Sequence, residues 1–141
     1  MFVRHVLERK EGAVHSIGPD APVLEAVRLM SEKHVGALLV MNGQQLVGIV
    51  SERDYARKIV LMGRSSSDTP VKTIMSSPVV TVSSDDSLDA CMRLVTEKRI
   101  RHLPVIERDK VVGVVSIGDI VKNMIHEQRQ TIEQLEAYIR S

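Results

Sequence analysis

The chain has 141 residues, a formal net charge of +1, and an ordinary balance of 43% hydrophobic and 26% charged residues. This length and composition predict one compact, soluble module with its own core, and the near-neutral charge argues against nucleic acid or an anionic membrane as a partner. No apolar run has the length of a signal peptide or of a membrane span, so we expect a cytoplasmic protein.

The cysteine and histidine content argues against a metal site. Cys91 is the only cysteine, which excludes an intrachain disulfide and a thiolate metal cluster. It falls on the apolar stripe of a predicted helix, where inert packing is expected rather than reactivity. The five histidines include no pair at the close helical spacings of metal-binding motifs. We therefore expect no metal cofactor.

An internal repeat organises the chain. Residues 17–55 align without a gap with residues 82–120 at an offset of 65, and twelve aligned pairs are identical. Chance at average composition would give roughly two or three. The sequence therefore contains a duplicated unit, copy 1 and copy 2.

Each copy begins with a predicted short strand and an amphipathic helix. The strands are AVHSI (13–17) and PVVTV (78–82). An aspartate, Asp20 or Asp85, can cap the helix that follows. The apolar positions of the two helices recur at helical spacing; they are Val23, Ala26, Val27 and Met30 in copy 1 and Leu88, Cys91, Met92 and Val95 in copy 2.

Two paired strands and a second helix complete each copy. ALLVM (37–41) and LVGIV (46–50) flank an Asn42-Gly43 hairpin signal, and LPVI (103–106) and VVGVV (111–115) repeat the pattern around a polar turn. Ser51 and Ser116 open the second helices, the first ending near Gly63 and the last continuing to Arg140.

The most repeated feature is GIVSERD (48–54), which returns as GVVSIGD (113–119). A structural interpretation is a helix start, because a capping Ser with Asp three residues on forms something close to a capping box. That accounts for Ser and Asp but not for the glycines, which inside a strand usually mark a close approach of backbone or ligand. In a functional interpretation, helix amides and the serine hydroxyl bind phosphate and the carboxylate accepts ribose hydroxyls. Both stay open.

Together these features identify a resemblance. Two units ending in Gly-x-x-Ser-x-x-Asp, with DAPVLEAVRLM (20–30) and IRHLPV (100–105), resemble a tandem pair of CBS domains, named after cystathionine β-synthase, over residues 10 to 125. The element usual before the second copy is present as VKTIM (71–75), and its equivalent before the first copy is poorly matched. The chain is similar to small stand-alone bacterial CBS-pair proteins.

The resemblance implies an α/β (α+β) fold of two β-α-β-β-α repeats packed as one pseudo-twofold module. We place repeat 1 at 10–62, a linker at 63–74, repeat 2 at 75–125 and a C-terminal helical extension at 126–141.

The resemblance also implies a ligand, an adenosine nucleotide such as AMP, ADP, ATP or NAD(H), in the cleft between the copies. Ser51 and Ser116 would face phosphate, while Asp54 and Asp119 would hold the ribose. Arg53, Arg101 and His102 are candidates for phosphate, although each could be a solvated surface residue. Aliphatic walls would hold the base, since aromatic residues make up 2% of the chain. The wall candidates, each of which could equally be an ordinary core or strand residue, are Val14, His15, Val35, Gly36, Ala37, Val79, Val80 and Ile100.

The two sites are predicted to be inequivalent. The alignment sets Gly36-Ala37 against Arg101-His102, and Glu52-Arg53 against Ile117-Gly118. By resemblance, each site combines the Ser-x-x-Asp of one copy with strand residues of the other, while the basic pair serves its own copy. The Asp119 site would then favour a phosphorylated ligand, with His102 adding charge below about its usual pKa near 6.5.

No set of catalytic residues stands out, since the chain has no nucleophile elbow and no Walker lysine after a glycine-rich loop. We expect a non-catalytic module that binds an adenosine-containing metabolite and signals by conformational change. The alternative is a dimeric protein-interaction scaffold with vestigial cavities. Nucleic-acid binding has only Arg99, Arg101 and His102 in its favour.

The last predicted helix indicates a homodimer. It carries more apolar surface than one small domain can cover, at Val121, Met124, Ile125, Ile132, Leu135 and Ile139, with Gln128 interrupting the stripe. CBS pairs commonly associate as flat dimers through their helices. The alternative is a helix that folds back on its own domain.

Overall fold

The structure is a computed structural model that describes residues 1–10 and 13–140. Its elements in chain order are α1 (Val3–Arg9), β1 (Ser16–Ile17), α2 (Val23–Lys33), β2 (Ala37–Asn42), β3 (Gln45–Ser51), α3 (Glu52–Tyr55), a π-helical turn (Ala56–Val60), α4 (Val71–Ile74), α5 (Leu88–Lys98), β4 (His102–Glu107), β5 (Lys110–Ser116) and α6 (Ile117–Arg140). The mixed α+β class that the resemblance implies is confirmed.

Contacts divide the chain into two compact units. The copy-1 unit is Val14–Val80, and the copy-2 unit combines Met1–Ala13 with Thr81–Ser141, of which residues 11, 12 and 141 lie outside the described part. Residues 71–74, at the end of the predicted linker, form α4, and Val71 and Ile74 are fully buried in the copy-1 core. The predicted boundaries stay predictions.

Each unit is built on an antiparallel hairpin. β2 pairs with β3 and β4 with β5, and both hairpins have a register irregularity at the equivalent place, Val40/Met41 and Val105/Ile106. β1 runs parallel to β2. The predicted strand 13–17 is therefore reduced to two residues. The predicted strand 78–82 is wrong except at Val82, which forms a single parallel bridge to Val105.

The two cores use equivalent positions. In copy 1 the buried residues include Val23, Ala26, Met30, Leu38, Val40 and Val50, and in copy 2 they include Leu88, Cys91, Val95, Leu103, Val105 and Val115. Every pair is 65 residues apart. The predicted apolar stripes are thus confirmed, since α2 and α5 bury the same face against their sheets.

The poorly matched element before copy 1 is α1. Val3 N–H donates to the Asp86 carbonyl as Val71 N–H donates to the Ala21 carbonyl. The acceptors are 65 residues apart but the donors are 68 apart. MFVRHVL (1–7) is therefore equivalent to TPVKTIM (69–75) at an offset of 68 residues, three more than the offset of the repeat. α1 therefore packs in the copy-2 unit as α4 packs in the copy-1 unit.

The predicted aspartate caps are wrong. Pro22 precedes α2, and Ser87 caps α5 by accepting a hydrogen bond from Ala90 N–H at 3.1 Å. The aspartates lie too early in the chain, and each pairs with the helix that enters its unit. Asp20 binds Lys72 at 2.8 Å and Asp85 binds Arg4 at 3.0 Å.

α6 extends to Arg140, as the sequence predicts. Its apolar face is exposed over the last turns, where Ile132 is 54% and Leu135 58% accessible. No helix in the described part of the chain is both long enough and apolar enough to span a membrane.

Candidate functional site

The Ser-x-x-Asp motif forms the junction between the last strand of each unit and the helix that follows. In copy 1, Ser51 N–H donates to Asp54 Oδ2 at 2.9 Å, and Asp54 N–H donates back to Ser51 Oγ at 3.2 Å. In copy 2, the same bonds join Ser116 and Asp119 at 2.9 and 3.1 Å. The capping box expected from the structural interpretation is therefore present in both copies.

The spacing that both copies share also places the start of the hairpin beside this junction. Ala37 lies opposite Ser51, and the Gly36 carbonyl accepts from Glu52 N–H at 3.0 Å. In copy 2, His102 lies opposite Ser116, and the Arg101 carbonyl accepts from Ile117 N–H at 2.8 Å. The pairs Gly36-Ala37 and Arg101-His102 are thus brought to the motif of their own copy.

The motif glycines have a packing explanation. A Cβ at Gly48 would collide with the Met75 side chain, and one at Gly113 would come within 2.6 Å of Leu7 Cδ2. Leu7 lies on α1, and Met75 directly follows α4, the short helices that enter the two units. A close approach of a ligand is not needed to explain these glycines, because the side chains of Met75 and Leu7 already occupy the space beside them.

A lysine accompanies the carboxylate of copy 1. Lys58, one helical turn after Asp54, lies 3.4 Å from Asp54 Oδ1 and donates to the Ile74 carbonyl at 2.9 Å. Asp54 is 15% exposed. Its Oδ2 is therefore occupied by Ser51, while Oδ1 faces a partly exposed ammonium.

A different lysine accompanies the carboxylate of copy 2. Lys10, just after α1, donates to Asp119 Oδ2 and to the Val114 carbonyl, both at 2.7 Å. Asn123 occupies the position equivalent to Lys58, and its Nδ2 donates to the Asp119 carbonyl at 2.8 Å. The cation of copy 2 thus comes from a segment outside the repeat.

The contacts of Asp119 set its acidity. Partial burial acts to raise the pKa of Asp119, but the hydrogen bond from Lys10, the bonds from Ser116 and the Lys10 charge outweigh it. The pKa of Asp119 is therefore below its ordinary value. The carboxylate is therefore ionised at neutral pH, and both of its oxygens act as acceptors.

His102 is less basic than the sequence suggested. Burial lowers the pKa of His102, as do the charges of Lys10 and Arg101, and Asp119 opposes them without reversing the shift. His102 is therefore neutral at pH 7. The expectation that it adds charge just below pH 6.5 is corrected, since a lower pH is needed.

The remaining predicted residues are spread over the two units. Arg53 is half-buried on α3 and Arg101 is exposed before β4. Val14 is 43% exposed, whereas the His15 carbonyl accepts from Leu39 N–H. Half-buried positions outside any strand are Val35, Val79, Val80 and Ile100, and Val35 packs against the copy-1 core.

Sequence reasoning missed both lysines. Lys58 had a signal, because an acid and a lysine four residues apart on a helix are neighbours. Lys10 had none, since it is 109 residues from Asp119 along the chain and outside the aligned repeat.

Other reactive groups are inert or dispersed. Cys91 is fully buried, and burial with the nearby charge of Asp86 raises the pKa of its thiol to about 11. Over residues 1–10 and 13–140 no three His, Cys, Asp or Glu side chains group in a way that could hold a metal ion.

Comparison with known families now decides the classification. The CBS domain profile matches residues 3–61 and 71–126. The chain belongs to the CBS domain family. The first match begins at Val3, in agreement with α1 being the entry element of the pair.

Relatives of this CBS pair occur in plants and bacteria. The chain is 44% identical over 126 residues to the CBS domain-containing protein CBSX3, mitochondrial, of Arabidopsis thaliana, covering 86% of this chain and 61% of that protein. It is 32% identical over 112 residues to YhcV of Bacillus subtilis, covering 79% of each. The chain thus spans less than two thirds of the plant relative.

Solved structures share the architecture. A protein with CBS domains from Burkholderia ambifaria superposes with a TM-score of 0.87 at 45% identity, covering 91% of this chain and 96% of that one. A hexameric CBS-CP12 protein from bloom-forming cyanobacteria has a TM-score of 0.77 at 26% identity, covering 98% and 87%. The CBS pair of MJ0100, in complex with 5′-methylthioadenosine and S-adenosyl-L-methionine, has 0.78 at 19%, covering 90% and 98%, and shares the fold alone.

Proposed function

We propose that this CBS pair is a non-catalytic regulatory module that binds an adenosine-containing ligand, AMP, ADP, ATP or NAD(H), and signals by conformational change. One observation carries the proposal. Both copies hold a partly exposed carboxylate at a strand-to-helix junction beside a serine and a lysine. Such a junction offers a cation to phosphate and a charged acceptor to ribose hydroxyls.

The MJ0100 pair supports the ligand class, because that protein holds two adenosine-containing compounds in the same fold. The chemistry of this chain supports it independently. Asp119 is ionised, with Oδ2 directed to Lys10 and Ser116, and the side chain is 26% exposed. A ribose can therefore compete for this carboxylate.

The second candidate, an interaction scaffold with vestigial cavities, also rests on an observation. The capping boxes and the packing of Leu7 and Met75 on the glycines explain the whole motif without a ligand. Thermal shifts with AMP, ADP, ATP, NAD(H) and S-adenosylmethionine separate the two candidates, because a ligand that binds only the folded state raises the melting temperature.

The ribose assignment predicts the effect of two substitutions. Asp54→Ala and Asp119→Ala each delete a charged acceptor worth roughly 1.5–3 kcal/mol to a hydrogen-bonded partner. We call the Ser-x-x-Asp junction of one copy a half-site. By calorimetry, we expect the affinity at the half-site that loses its aspartate to fall about tenfold or more.

These variants also lose a helix cap, so the control is Ser87→Ala, which removes the side-chain cap of α5. Ser87→Ala should lower the melting temperature and leave ligand affinity unchanged. Unchanged binding in the double aspartate variant would rule out the ribose assignment.

The proposal includes a homodimer and a cytoplasmic location. The hexameric CBS-CP12 protein supports self-association within the family, and the exposed face of α6 supports it in this chain. A cytoplasmic location rests on the sequence alone, and the plant relative bears the word mitochondrial in its name.

A further inference from the structure

Lys10 occupies the acceptor that the proposed ligand needs. Its ammonium bonds Asp119 Oδ2 and the Val114 carbonyl at 2.7 Å each. Asp119 Oδ2 therefore accepts from Lys10 and from Ser116 N–H together. A ribose hydroxyl that binds this oxygen must share it with the lysine or displace it.

We propose that Lys10 sets the ligand preference of the Asp119 half-site by exchanging Asp119 for a ligand phosphate. The ribose takes the carboxylate, and the released ammonium pairs with the phosphate of the same ligand. The half-site then selects phosphorylated adenosine compounds over the plain nucleoside. This inference rests on the proposed function and names the specificity of the same site.

The surroundings of Lys10 explain why its ammonium needs another anion as a partner when it leaves Asp119. Lys10 and Asp119 line a surface depression of about 740 Å³ with Arg9, Lys122 and His126, a size within the roughly 300–1,000 Å³ of small-molecule sites. Asp119 is the one acid among the described lining residues. An ammonium released from Asp119 therefore shares the depression with Arg9 and Lys122, two charges of its own sign.

The energetic consequence differs between ligands. A nucleoside breaks the Lys10–Asp119 pair and provides no new partner for the lysine. A nucleotide breaks the same pair but offers phosphate oxygens, and charge-assisted bonds to phosphate are among the stronger hydrogen bonds. The depression then contains one more anionic group among its cations.

The copy-1 unit lacks this arrangement. Lys58 lies 3.4 Å from Asp54 Oδ1, beyond the usual 2.7–3.2 Å of such bonds, and its hydrogen bond goes to the Ile74 carbonyl. A ribose there meets a weaker competitor. Phosphate selection by lysine exchange therefore belongs to the Asp119 half-site.

The test compares AMP with adenosine by calorimetry in an Asp54→Ala background, so that the Asp119 half-site dominates the signal. Lys10→Met should tighten adenosine binding and weaken AMP binding, so that the preference for AMP falls about tenfold, the equivalent of one charge-assisted contact. Lys10→Arg should keep the preference. Lys110→Met removes one positive charge at the start of β5 and should change neither affinity.

The outcomes are distinguishable. If the Lys10→Met protein binds AMP with the parent's preference, this inference is overturned and the proposed function stands. If the parent binds neither compound and no member of the nucleotide panel raises its melting temperature, the proposed function fails, and this inference fails with it. Should Lys10→Met melt at room temperature, Lys10→Gln gives the same comparison while retaining a donor for the Val114 carbonyl.

Discussion

Gly113 shows how a residue that suggests a ligand can serve packing. Leu7 lies over it, so an added methyl group would come within 2.6 Å of Cδ2. The side chain of Leu7 can shift, but only within a packed interface. Overpacking of this kind typically costs about 1–3 kcal/mol, and a flexible neighbour favours the low end.

We therefore predict that Gly113→Ala lowers the free energy of unfolding by about 1 kcal/mol, measured by urea denaturation. Gly18→Ala is the control, because a Cβ at Gly18 meets no atom within 4 Å. Combining Gly113→Ala with Leu7→Ala should recover part of the loss caused by the clash. Additive losses in the double variant would contradict the packing explanation.

Asp119 makes the stability of the fold depend on pH, and the direction of this dependence follows from its lowered pKa. A depressed pKa in the folded state stabilises the fold above the unfolded pKa of about 3.9, and the contribution is lost as the pH falls through the folded pKa. We predict that Asp119→Asn destabilises most at neutral pH. The difference from the parent should shrink as the pH falls below about 4.

Urea denaturation from pH 7 to pH 3 measures this difference. Asp68→Asn, at an exposed carboxylate in the loop before α4, controls for the general loss of a negative charge. A constant gap between the parent and Asp119→Asn over the whole range would show that the Lys10 and Ser116 contacts do not favour the ionised form.

The prediction of individual residues depended on whether their partners lie within the repeat. Ser51, Asp54, Ser116 and Asp119 were found because duplication places them at equal positions. The explanation of the glycines was missed because Met75 and Leu7 enter from outside the aligned segments. Lys10 was missed for the same reason.

Helices and strands were predictable where apolar residues recur at a regular spacing over many positions. α2, α5 and both hairpins follow from spacing and turn residues, and the helix bounds depend on residues adjacent to the first turn rather than on the earlier aspartates. The edge strands were overpredicted. Val79 and Val80 have strand-forming side chains, yet the parallel pairing in copy 2 is made by Val82 alone.

The short entry helices show why a gapless comparison fails. α1 has seven residues and α4 has four, too few for a stable helix in isolation, so tertiary packing determines them. Their equivalence shifts from 65 to 68 residues because the segment after Leu7 is three residues longer than the one after Met75. The ion pairs Arg4–Asp85 and Lys72–Asp20 are equivalent contacts of the two entry helices, although the gapless alignment does not match Arg4 with Lys72.

Duplication gives this protein two copies of one scaffold but not two copies of one site. The carboxylates, serines and glycines are retained, while the cation is supplied by Lys58 in one copy and by Lys10 in the other. The core was predictable because burial requires only apolar residues at repeated positions. The cations were not, since a side chain of this length can reach an acid from several backbone positions.

The exposed face of α6 is a second feature that the sequence predicts. Its apolar residues recur at intervals of three and four, at Val121, Ile125, Ile132, Leu135 and Ile139, with Gln128 in the same register. This is a heptad pattern, in which such a face packs against a second helix. Ile125 is 45% and Ile139 81% exposed, so this unit covers the face only in part.

We predict that a second copy of the chain covers it. Light scattering should give a dimer at micromolar concentration, and Leu135→Glu with Ile139→Glu should give a monomer, because charges would be buried in the seam. Both positions lie in the exposed half of α6, so the melting temperature of the variant should reflect the loss of association only. Ala137→Glu, which puts the same charge on another face of the helix, should stay dimeric. A monomeric parent, or a double variant that remains a dimer, would show that α6 is not the dimer interface.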